Sequence, residues 1–284
     1  MSRCLVGRRF GGLAALVAGG LFATAAHATP VTLTSQNSSA VFGPASVSAN
    51  SSWIVDGTNQ VAQTGFWIAP TGGAPESLSA VSTPSVFSTG GILQATYAGD
   101  GFNVVLNVTL TGGTAGSGAS AMNETVTFNN TSGSSMSPKF YEYEDFTLNN
   151  SGTDNTLTLS GSPVNTATQT DPAGTSMNLS ATGGASAPDF FQTGTGATIA
   201  DLLNGSSPVT LNNNSTGPLL GDPNFAFEFD PTVGVDGSFQ ISVNKTIQEG
   251  GEAVPLPSAA PAAAALLVLL TGIRVARKAI QTIA

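Results

Sequence analysis

Short runs in which apolar and polar residues alternate constrain the fold of this chain more than any other feature. The clearest run covers residues 102–110, where every second residue is Phe, Val or Leu. Successive side chains of a β-strand point to opposite faces of its sheet, so this pattern predicts a strand with one buried face. Residues 29–253 show almost no apolar period of 3.6 residues, and 197–203 is the one candidate helix.

Similar runs recur along the chain, and Gly-containing turns such as Asp56-Gly57 and Asp236-Gly237 separate them. Strands are also predicted at 31–35, 61–68, 92–97, 124–128, 140–148, 157–159, 224–229 and 239–243. We expect 111–121 to be a mobile loop, and 150–184 to be a loop or weak edge strands. Many short strands with Gly-rich turns predict an all-β fold, an antiparallel β-sandwich of the jelly-roll or immunoglobulin type.

Two of these runs are rich in large apolar side chains. Their alternating residues are expected to form one layer of the core: Phe225, Phe227, Phe229, Phe239, Ile241 and Val243. Ala226 and Glu228 should face the other way.

The charged residues exclude several classes of protein. Residues 29–253 contain all 17 acidic residues of the chain but only two basic ones, Lys139 and Lys245, and they contain no Cys and no His. A Ser-His-Asp triad, a Cys nucleophile, a His or Cys metal site and a disulfide framework are therefore excluded there. Nucleic acid is not expected as a partner, because binding its phosphates requires a basic surface. We expect a protein that is not an enzyme and has no cofactor, with a structural Ca²⁺ as the alternative.

The first 28 residues have the features of a secretory signal peptide. Three arginines precede an apolar run at 11–26, which ends in the small-x-small pattern of residues 26–28. This pattern predicts a signal helix and cleavage between Ala28 and Thr29 by signal peptidase. The alternative is an anchor helix that is not cleaved.

Residues 254–284 have a three-part organisation. The first part is a proline motif formed by Val254, Pro255, Leu256 and Pro257. An uncharged apolar stretch at 258–273 follows, and it predicts a transmembrane helix. The last part is a basic cluster formed by Arg274, Arg277 and Lys278. The positive-inside rule keeps this cluster in the cytoplasm and places 29–253 outside.

This organisation resembles the PEP-CTERM sorting signal, in the form known as VPLPA-CTERM. The chain departs from that pattern at Leu256, Ser258 and Pro261, and in the residues 279–284 that follow the basic cluster. The resemblance implies recognition by an exosortase in the inner membrane of a Gram-negative bacterium that makes exopolysaccharide and biofilm. An ordinary membrane anchor is the alternative.

One acidic cluster falls on a predicted strand. Alternation places Glu142 and Glu144 on one face, and Tyr141, Tyr143 and Asp145 on the other. Two carboxyl groups about 5 to 9.5 Å apart could serve as the acid and base of a glycosidase. The alternative is a solvated strand face with the two tyrosines half-buried.

A second set of acidic residues offers oxygen ligands for Ca²⁺: Asp222, Glu228, Asp230 and Asp236. These positions fit turns equally well. The aromatic residues that could stack on a sugar ring are Trp53, Trp67, Tyr97, Tyr141 and Tyr143.

Taken together, these patterns predict an exported protein with one β domain at 29–253. We expect an inner-membrane intermediate, then release to the cell surface or extracellular matrix, and a structural or adhesive role with exopolysaccharide. The expected partners are signal peptidase, an exosortase, transiently the inner membrane, and exopolysaccharide. The alternatives are a Ca²⁺-dependent carbohydrate-binding module and a glycosidase that uses Glu142 and Glu144.

Overall fold

The computed structural model describes residues 29–46 and 49–250. Within these ranges the chain forms two nine-stranded antiparallel sheets, here called sheet I and sheet II. The predicted signal helix, the proline motif, the transmembrane helix and the basic cluster lie outside the described residues. No helix in the described part of the chain is long and apolar enough to cross a membrane.

Sheet I has the order β1-β2-β3-β5-β11-β17-β15, with β4 paired to β3 and β6 paired to β5. Its strands are β1 (Val31–Ser35), β2 (Ser38–Phe42), β3 (Asn50–Val55), β4 (Thr58–Asn59), β5 (Val61–Ala69), β6 (Glu76–Ser77), β11 (Lys139–Phe146), β15 (Phe190–Thr195) and β17 (Pro223–Phe229). Short helices lie at α1 (Leu78–Val81) and α2 (Thr198–Leu203), and a 3-10 turn lies at Leu148–Asn150. The one helix predicted from the sequence is therefore confirmed as α2.

Sheet II has the order β16-β12-β13-β14-β18-β10-β9-β8-β7. Its strands are β7 (Ser85–Thr89), β8 (Ile92–Gly99), β9 (Phe102–Gly112), β10 (Ala119–Asn130), β12 (Asn155–Gly161), β13 (Val164–Thr170), β14 (Ser176–Gly183), β16 (Leu219–Gly221) and β18 (Ser238–Gln248). The predicted all-β antiparallel sandwich is confirmed. The jelly-roll and immunoglobulin types are wrong, since those folds have about eight and roughly seven to nine strands in total.

The core lies between the two sheets and contains the predicted apolar layers. The alternating residues of β9 are all buried there, from Phe102 to Leu110. Phe225, Phe227 and Phe229 pack in the same core with Ile241 and Val243 of β18. Phe239 packs against it, with its ring centroid 6.5 Å from that of Phe229. The predicted buried face of the 102–110 strand and the predicted packing of the other two runs in one core are therefore confirmed.

The loop expected at 111–121 is shorter than predicted, and the segment 150–184, expected to be a loop or weak edge strands, forms strands within sheet II. Only residues 113–118 connect β9 to β10, and the backbone N–H groups of Gly116 and Gly118 donate to the Asp56 carboxylate at 2.6 and 2.8 Å. Residues 150–184 contain three strands, of which β14 pairs with β13 and β18 inside sheet II. Thr, which is frequent in this segment, favours extended backbone even where the apolar alternation is weak.

Candidate functional sites

Strand β11 carries ionisable side chains on both of its faces. Glu142 and Glu144 point into the sandwich core and are 0% and 1% exposed, whereas Tyr141 and Tyr143 point to the outer face of sheet I. The predicted alternation is confirmed, but the solvated strand face is wrong, because the glutamates lie on the most buried side of the strand.

Two residues of sheet II complete a cluster around these glutamates. Lys245 Nζ of β18 lies 2.8 Å from Glu124 Oε2 of β10 and also contacts Glu144 Oε1. Neither carboxyl oxygen of Glu142 has a hydrogen-bond partner. Lys245 and Glu124 are 1% and 2% exposed, so all four side chains are shielded from solvent. We call Glu124, Glu142, Glu144 and Lys245 the interior cluster.

Burial controls the protonation of the interior cluster. It raises the pKa of Glu142 to about 7 and the pKa of Glu144 well above its ordinary value, although the charge of Lys245 opposes both shifts. Burial alone would lower the pKa of Lys245, but the charges of Glu124 and Glu144 outweigh it and raise that pKa. A substrate cannot reach side chains without exposed surface, so Glu142 and Glu144 do not form the predicted glycosidase site.

The sequence contains a signal for the interior cluster that the sequence-based prediction missed. Lys245 is in phase with Val243 and Ile247, which point into the core. Glu124 is likewise in phase with the buried Met122 and Val126. A charged residue at a core position of an alternating strand predicts a buried partner of opposite charge.

The outer face of sheet I is covered by a second, smaller core. Trp67, Tyr141, Tyr143 and Ala226 pack there against residues of α2 and of the segment that follows it. The Trp67 indole donates to Asn204 Oδ1 at 3.1 Å. Trp53, Trp67, Tyr97, Tyr141 and Tyr143 are all at most 1% exposed. The sequence offered these aromatic residues as a surface for stacking on a sugar ring. Because they are buried, they do not form such a surface.

Glu228 fastens this covering segment to sheet I. Its Oε2 accepts the backbone N–H of Leu211 at 2.6 Å, and its Oε1 lies 2.5 Å from Lys139 Nζ. Lys139 also lies 3.2 Å from Asp230 Oδ2 and donates to Thr210 Oγ1 at 2.8 Å. The charged groups of Glu228, Lys139 and Asp230 are thus paired with one another, and those of Glu228 and Lys139 are hydrogen-bonded to the covering segment. Their geometry is that of a structural clamp.

The structure does not bring the four predicted Ca²⁺ ligands together. Glu228 and Asp230 both contact Lys139 near the C-terminal end of β17. Asp222 immediately precedes the N-terminal end of β17, and Asp236 lies in the turn before β18. Within residues 29–46 and 49–250, no group of three or more acidic, His or Cys side chains could hold a metal ion. This set of Ca²⁺ ligands is therefore wrong.

Asp145 lies on the outer face of sheet I near the end of β11, where the charge of Asp222 acts on it. Burial, followed by the charge of Asp222, raises the pKa of Asp145 to about 7. The Tyr143 hydroxyl donates to Asp145 Oδ2 at 3.5 Å, and Asp145 Oδ1 is buried without a partner. At neutral pH Asp145 is thus partly protonated, so it can both give and take a proton. The alternation of β11 predicted Asp145 on the face opposite the glutamates and indicated no role for it.

The outer face of sheet II contains no charged strand residue. Its nine strands include only two charged residues, Glu124 and Lys245, and both point into the core. The outward positions of the central strands are mainly Asn, Thr, Ser and Gln. We use the name polar face for ten of these outward residues near the middle of the sheet: Asn107, Asn123, Thr125, Thr166, Thr168, Asn178, Ser180, Ser242, Asn244 and Thr246.

The polar face is an ordered array of hydrogen-bonding groups. Strand pairing aligns Asn123, Asn244, Ser180 and Thr166 in one row across four strands. Neighbouring residues of a row lie on neighbouring strands about 4.8 Å apart, and successive rows repeat about every 6.8 Å along a strand. A shallow groove of about 390 Å³ lies on the face, and a second of about 380 Å³ lies at its edge, near Thr111 and Gln248; Thr246 lines both.

No protein family model matches the chain, and no curated protein matches it. Solved structures do match. A bacterial glucoamylase in complex with acarbose is 12% identical with a TM-score of 0.52, over 78% of this chain and 32% of that chain. This chain therefore spans about a third of the length of that glucoamylase. The likeness shows a shared fold, that of a β-sandwich found in a carbohydrate-processing enzyme.

Two smaller proteins align over nearly their full length. A putative aldose 1-epimerase from Escherichia coli K12 is 8% identical with a TM-score of 0.49, over 78% of this chain and 99% of that chain. A galactose mutarotase-like protein from Lactobacillus casei is 11% identical with a TM-score of 0.46, over 78% of this chain and 100% of that one.

The glucoamylase overturns the prediction that the protein is not an enzyme. That prediction relied on the absence of His and Cys from residues 29–253. The fold occurs in a carbohydrate-processing enzyme, and carboxyl groups alone can serve as acid and base on a sugar. The missing residue types therefore do not exclude catalysis by this chain.

Proposed function

We propose that the protein is an exported carbohydrate-binding protein of the cell envelope or extracellular matrix, which holds neutral polysaccharide on the polar face. The observation that carries this proposal is the absence of charge from the outward strand positions of sheet II in a chain with 17 acidic residues. A neutral polymer pays no charge-desolvation cost on such a face, whereas a charged one would find no counter-charge there.

The chemistry of the polar face fits sugar hydroxyl groups. Amide and hydroxyl side chains both donate and accept hydrogen bonds, as sugar hydroxyls do. Some face residues already bond across strands, such as Thr168 Oγ1 to Asn178 Oδ1 at 3.1 Å, which holds their side chains in fixed positions. Fixed donors and acceptors at regular spacing favour a polymer that repeats its hydroxyl groups. The glucoamylase that shares the fold also supports a role with carbohydrate.

Sedimentation with insoluble polysaccharide tests this proposal. The purified protein should sediment with an insoluble neutral β-glucan, and the bound fraction should be the same at low and high salt because no ion pair is involved. It should not sediment with calcium alginate gel, which is anionic. Binding to alginate alone, or to neither material, would overturn the proposal.

A carbohydrate-processing reaction at Asp145 is the second candidate function. The observation in its favour is the Asp145 carboxyl group, which has a pKa of about 7 and one unpartnered oxygen. Such a group can give a proton to a glycosidic or ring oxygen and take one back.

The route of export is the third part of the proposal. The signal peptide would direct the chain through the inner membrane, and the motif at 254–257 would present it to an exosortase. The likeness of residues 254–284 to a sorting signal supports this route.

A further inference from the structure

The interior cluster places a lysine of one sheet against a carboxyl group of the other. Lys245 belongs to β18 of sheet II, and its Nζ contacts Oε1 of Glu144 on β11 of sheet I. Both side chains are at most 1% exposed, inside a core of aliphatic and aromatic residues. Bulk water, which opposes condensation of an amine with a carboxylic acid, is therefore excluded, and the two reacting groups are held together.

Two further carboxyl groups lie within the same cluster. Glu124 Oε2 is 2.8 Å from Lys245 Nζ and can accept a proton from it. Glu142 is two residues before Glu144 on the same face of β11, is 0% exposed, and has no hydrogen-bond partner for either oxygen. A buried carboxyl group without a partner is costly for stability, and its position beside Glu144 makes it available for proton transfer.

We propose that Lys245 and Glu144 form an isopeptide bond that joins sheet II covalently to sheet I. The interior cluster would catalyse this bond on itself after folding. The product would be an amide between Nζ of Lys245 and Cδ of Glu144, and the by-product would be one water molecule.

Each proton in this reaction has a donor and an acceptor. Glu124 takes a proton from the Lys245 ammonium, and Glu142 gives its proton to Glu144. The neutral amine then attacks the Glu144 carboxyl carbon and forms the C–N bond, and Glu142 takes a proton back from the nitrogen. Glu124 returns its proton to the departing hydroxyl, the C–O bond breaks, and water leaves. No oxidant, reductant or other reactant is needed.

The other lysine of the β domain supplies an internal control. Lys139 Nζ lies 2.5 Å from Glu228 Oε1, but its side chain is 29% exposed and also faces Asp230 and Thr210. Water reaches this amine, so it forms an ordinary ion pair. We therefore expect a bond at Lys245 and none at Lys139.

Trypsin digestion of the denatured full chain tests the proposal, because trypsin does not cut after a lysine whose amine is acylated. Digestion should cut after Lys139 but not after Lys245, and yield a fragment that starts at Phe140 and continues past Lys245. The measured mass of that fragment should be lower than the mass calculated from its sequence by the mass of one water molecule. A fragment that ends at Lys245, or one of full mass, would overturn the proposal and leave an ordinary ion pair.

The same digest distinguishes Glu144 from Glu124 as the partner of Lys245, and fragmentation of the cross-linked peptide in the mass spectrometer distinguishes Glu144 from Glu142. Glu144 lies in the fragment that starts at Phe140, so a bond to it stays within one fragment. Glu124 precedes Lys139, so a bond to Glu124 would join two fragments and contradict the assignment. In the Lys245→Arg variant, trypsin should cut after position 245, and the fragments should have the full masses calculated from their sequences. In Glu142→Gln the bond should form at least about tenfold more slowly after refolding, as expected for loss of a proton-transfer group. An unchanged rate would contradict the role given to Glu142.

Discussion

The buried carboxyl group of Glu142 makes the stability of the folded state depend on pH. Both of its oxygens lack partners inside the sandwich, and its carboxyl group is held partly protonated at neutral pH, with a pKa of about 7 against an ordinary value of 4.5. The folded state therefore binds more protons than the unfolded state between these two values. Stability is greatest below the unfolded pKa and falls as the pH rises towards the folded pKa.

The substitution Glu142→Gln should reduce this dependence on pH. An amide stays neutral, so the variant should lose less stability than the wild type between pH 5 and pH 8. The difference in unfolding free energy should reach about 3 kcal/mol at most, as a pKa shift of about 2.5 units implies. Urea unfolding at the two pH values measures it. An equal loss of stability in both proteins would contradict the account of Glu142.

At Asp145, substitution tests the second candidate function. Asp145→Asn removes the proton donor while keeping the shape of the side chain, so it should lower any turnover of a carbohydrate substrate by about a hundredfold or more. Asp201→Asn, on the exposed surface of α2, is the matched control and should leave turnover unchanged. Turnover that survives Asp145→Asn at the wild-type rate would exclude Asp145 as the site.

At the scale of single elements, the alternation of β9, β11, β17 and β18 predicted which side chains share a face. It did not predict that the second face of β11 and β17 is also covered. Tyr141 points away from the main core and is nevertheless buried, because α2 and the segment after it pack over sheet I. That covering depends on contacts between Glu228 and Leu211 and between Trp67 and Asn204. Such contacts join distant parts of the chain and leave no periodic signal in the sequence.

The strands of 150–184 were predicted only in part, as a short strand at 157–159 within a loop or weak edge strands, for a related reason. β13 carries Ala167 and Gln169 on its inward face, between outward threonines. Small and polar residues on both faces weaken the apolar alternation, although pairing with β12 and β14 makes the segment a strand. The number of strands, and with it the type of sandwich, was therefore not available from the pattern.

Removal of the Glu228 clamp should loosen the cover of sheet I. Glu228→Ala leaves the Leu211 N–H and the Lys139 ammonium without this partner, which should cost about 1–3 kcal/mol. Hydrogen exchange should become faster in α2 and in residues 204–211, but not in sheet II. Asp230→Ala is the matched control, because Asp230 makes only the longer contact with Lys139 and is partly exposed. Exchange that is unchanged in Glu228→Ala would contradict the clamp.

At the scale of the whole molecule, the charges belong to separate regions. Six of the eight basic residues lie outside 29–253, in the predicted export segments, and the β domain keeps an uncharged outer face on sheet II. The composition indicated an acidic β domain. The location of the uncharged surface required the structure, because it depends on which strands are neighbours in sheet II.

The sorting segment is tested with an epitope tag at the C-terminus. In cells with the exosortase, the tag should be lost from the secreted protein, and deletion of the enzyme should retain a full-length, membrane-bound form. Replacement of Pro255 and Pro257 by Ala should have the same effect as the deletion. A tagged protein that stays full-length in the membrane with the enzyme present, unchanged by its deletion, would contradict sorting.

The affinity of the protein for a neutral β-glucan, measured after a negative charge is added to the polar face, tests the central claim most directly. Thr246→Glu places a carboxylate at the residue that lines both grooves. Thr32→Glu adds the same charge on β1 of sheet I, at an exposed position, and serves as the control. We predict that Thr246→Glu weakens binding by about tenfold or more, about 1.4 kcal/mol, while Thr32→Glu binds as the wild type does. Equal affinity of Thr246→Glu and the wild type would contradict carbohydrate binding on this face.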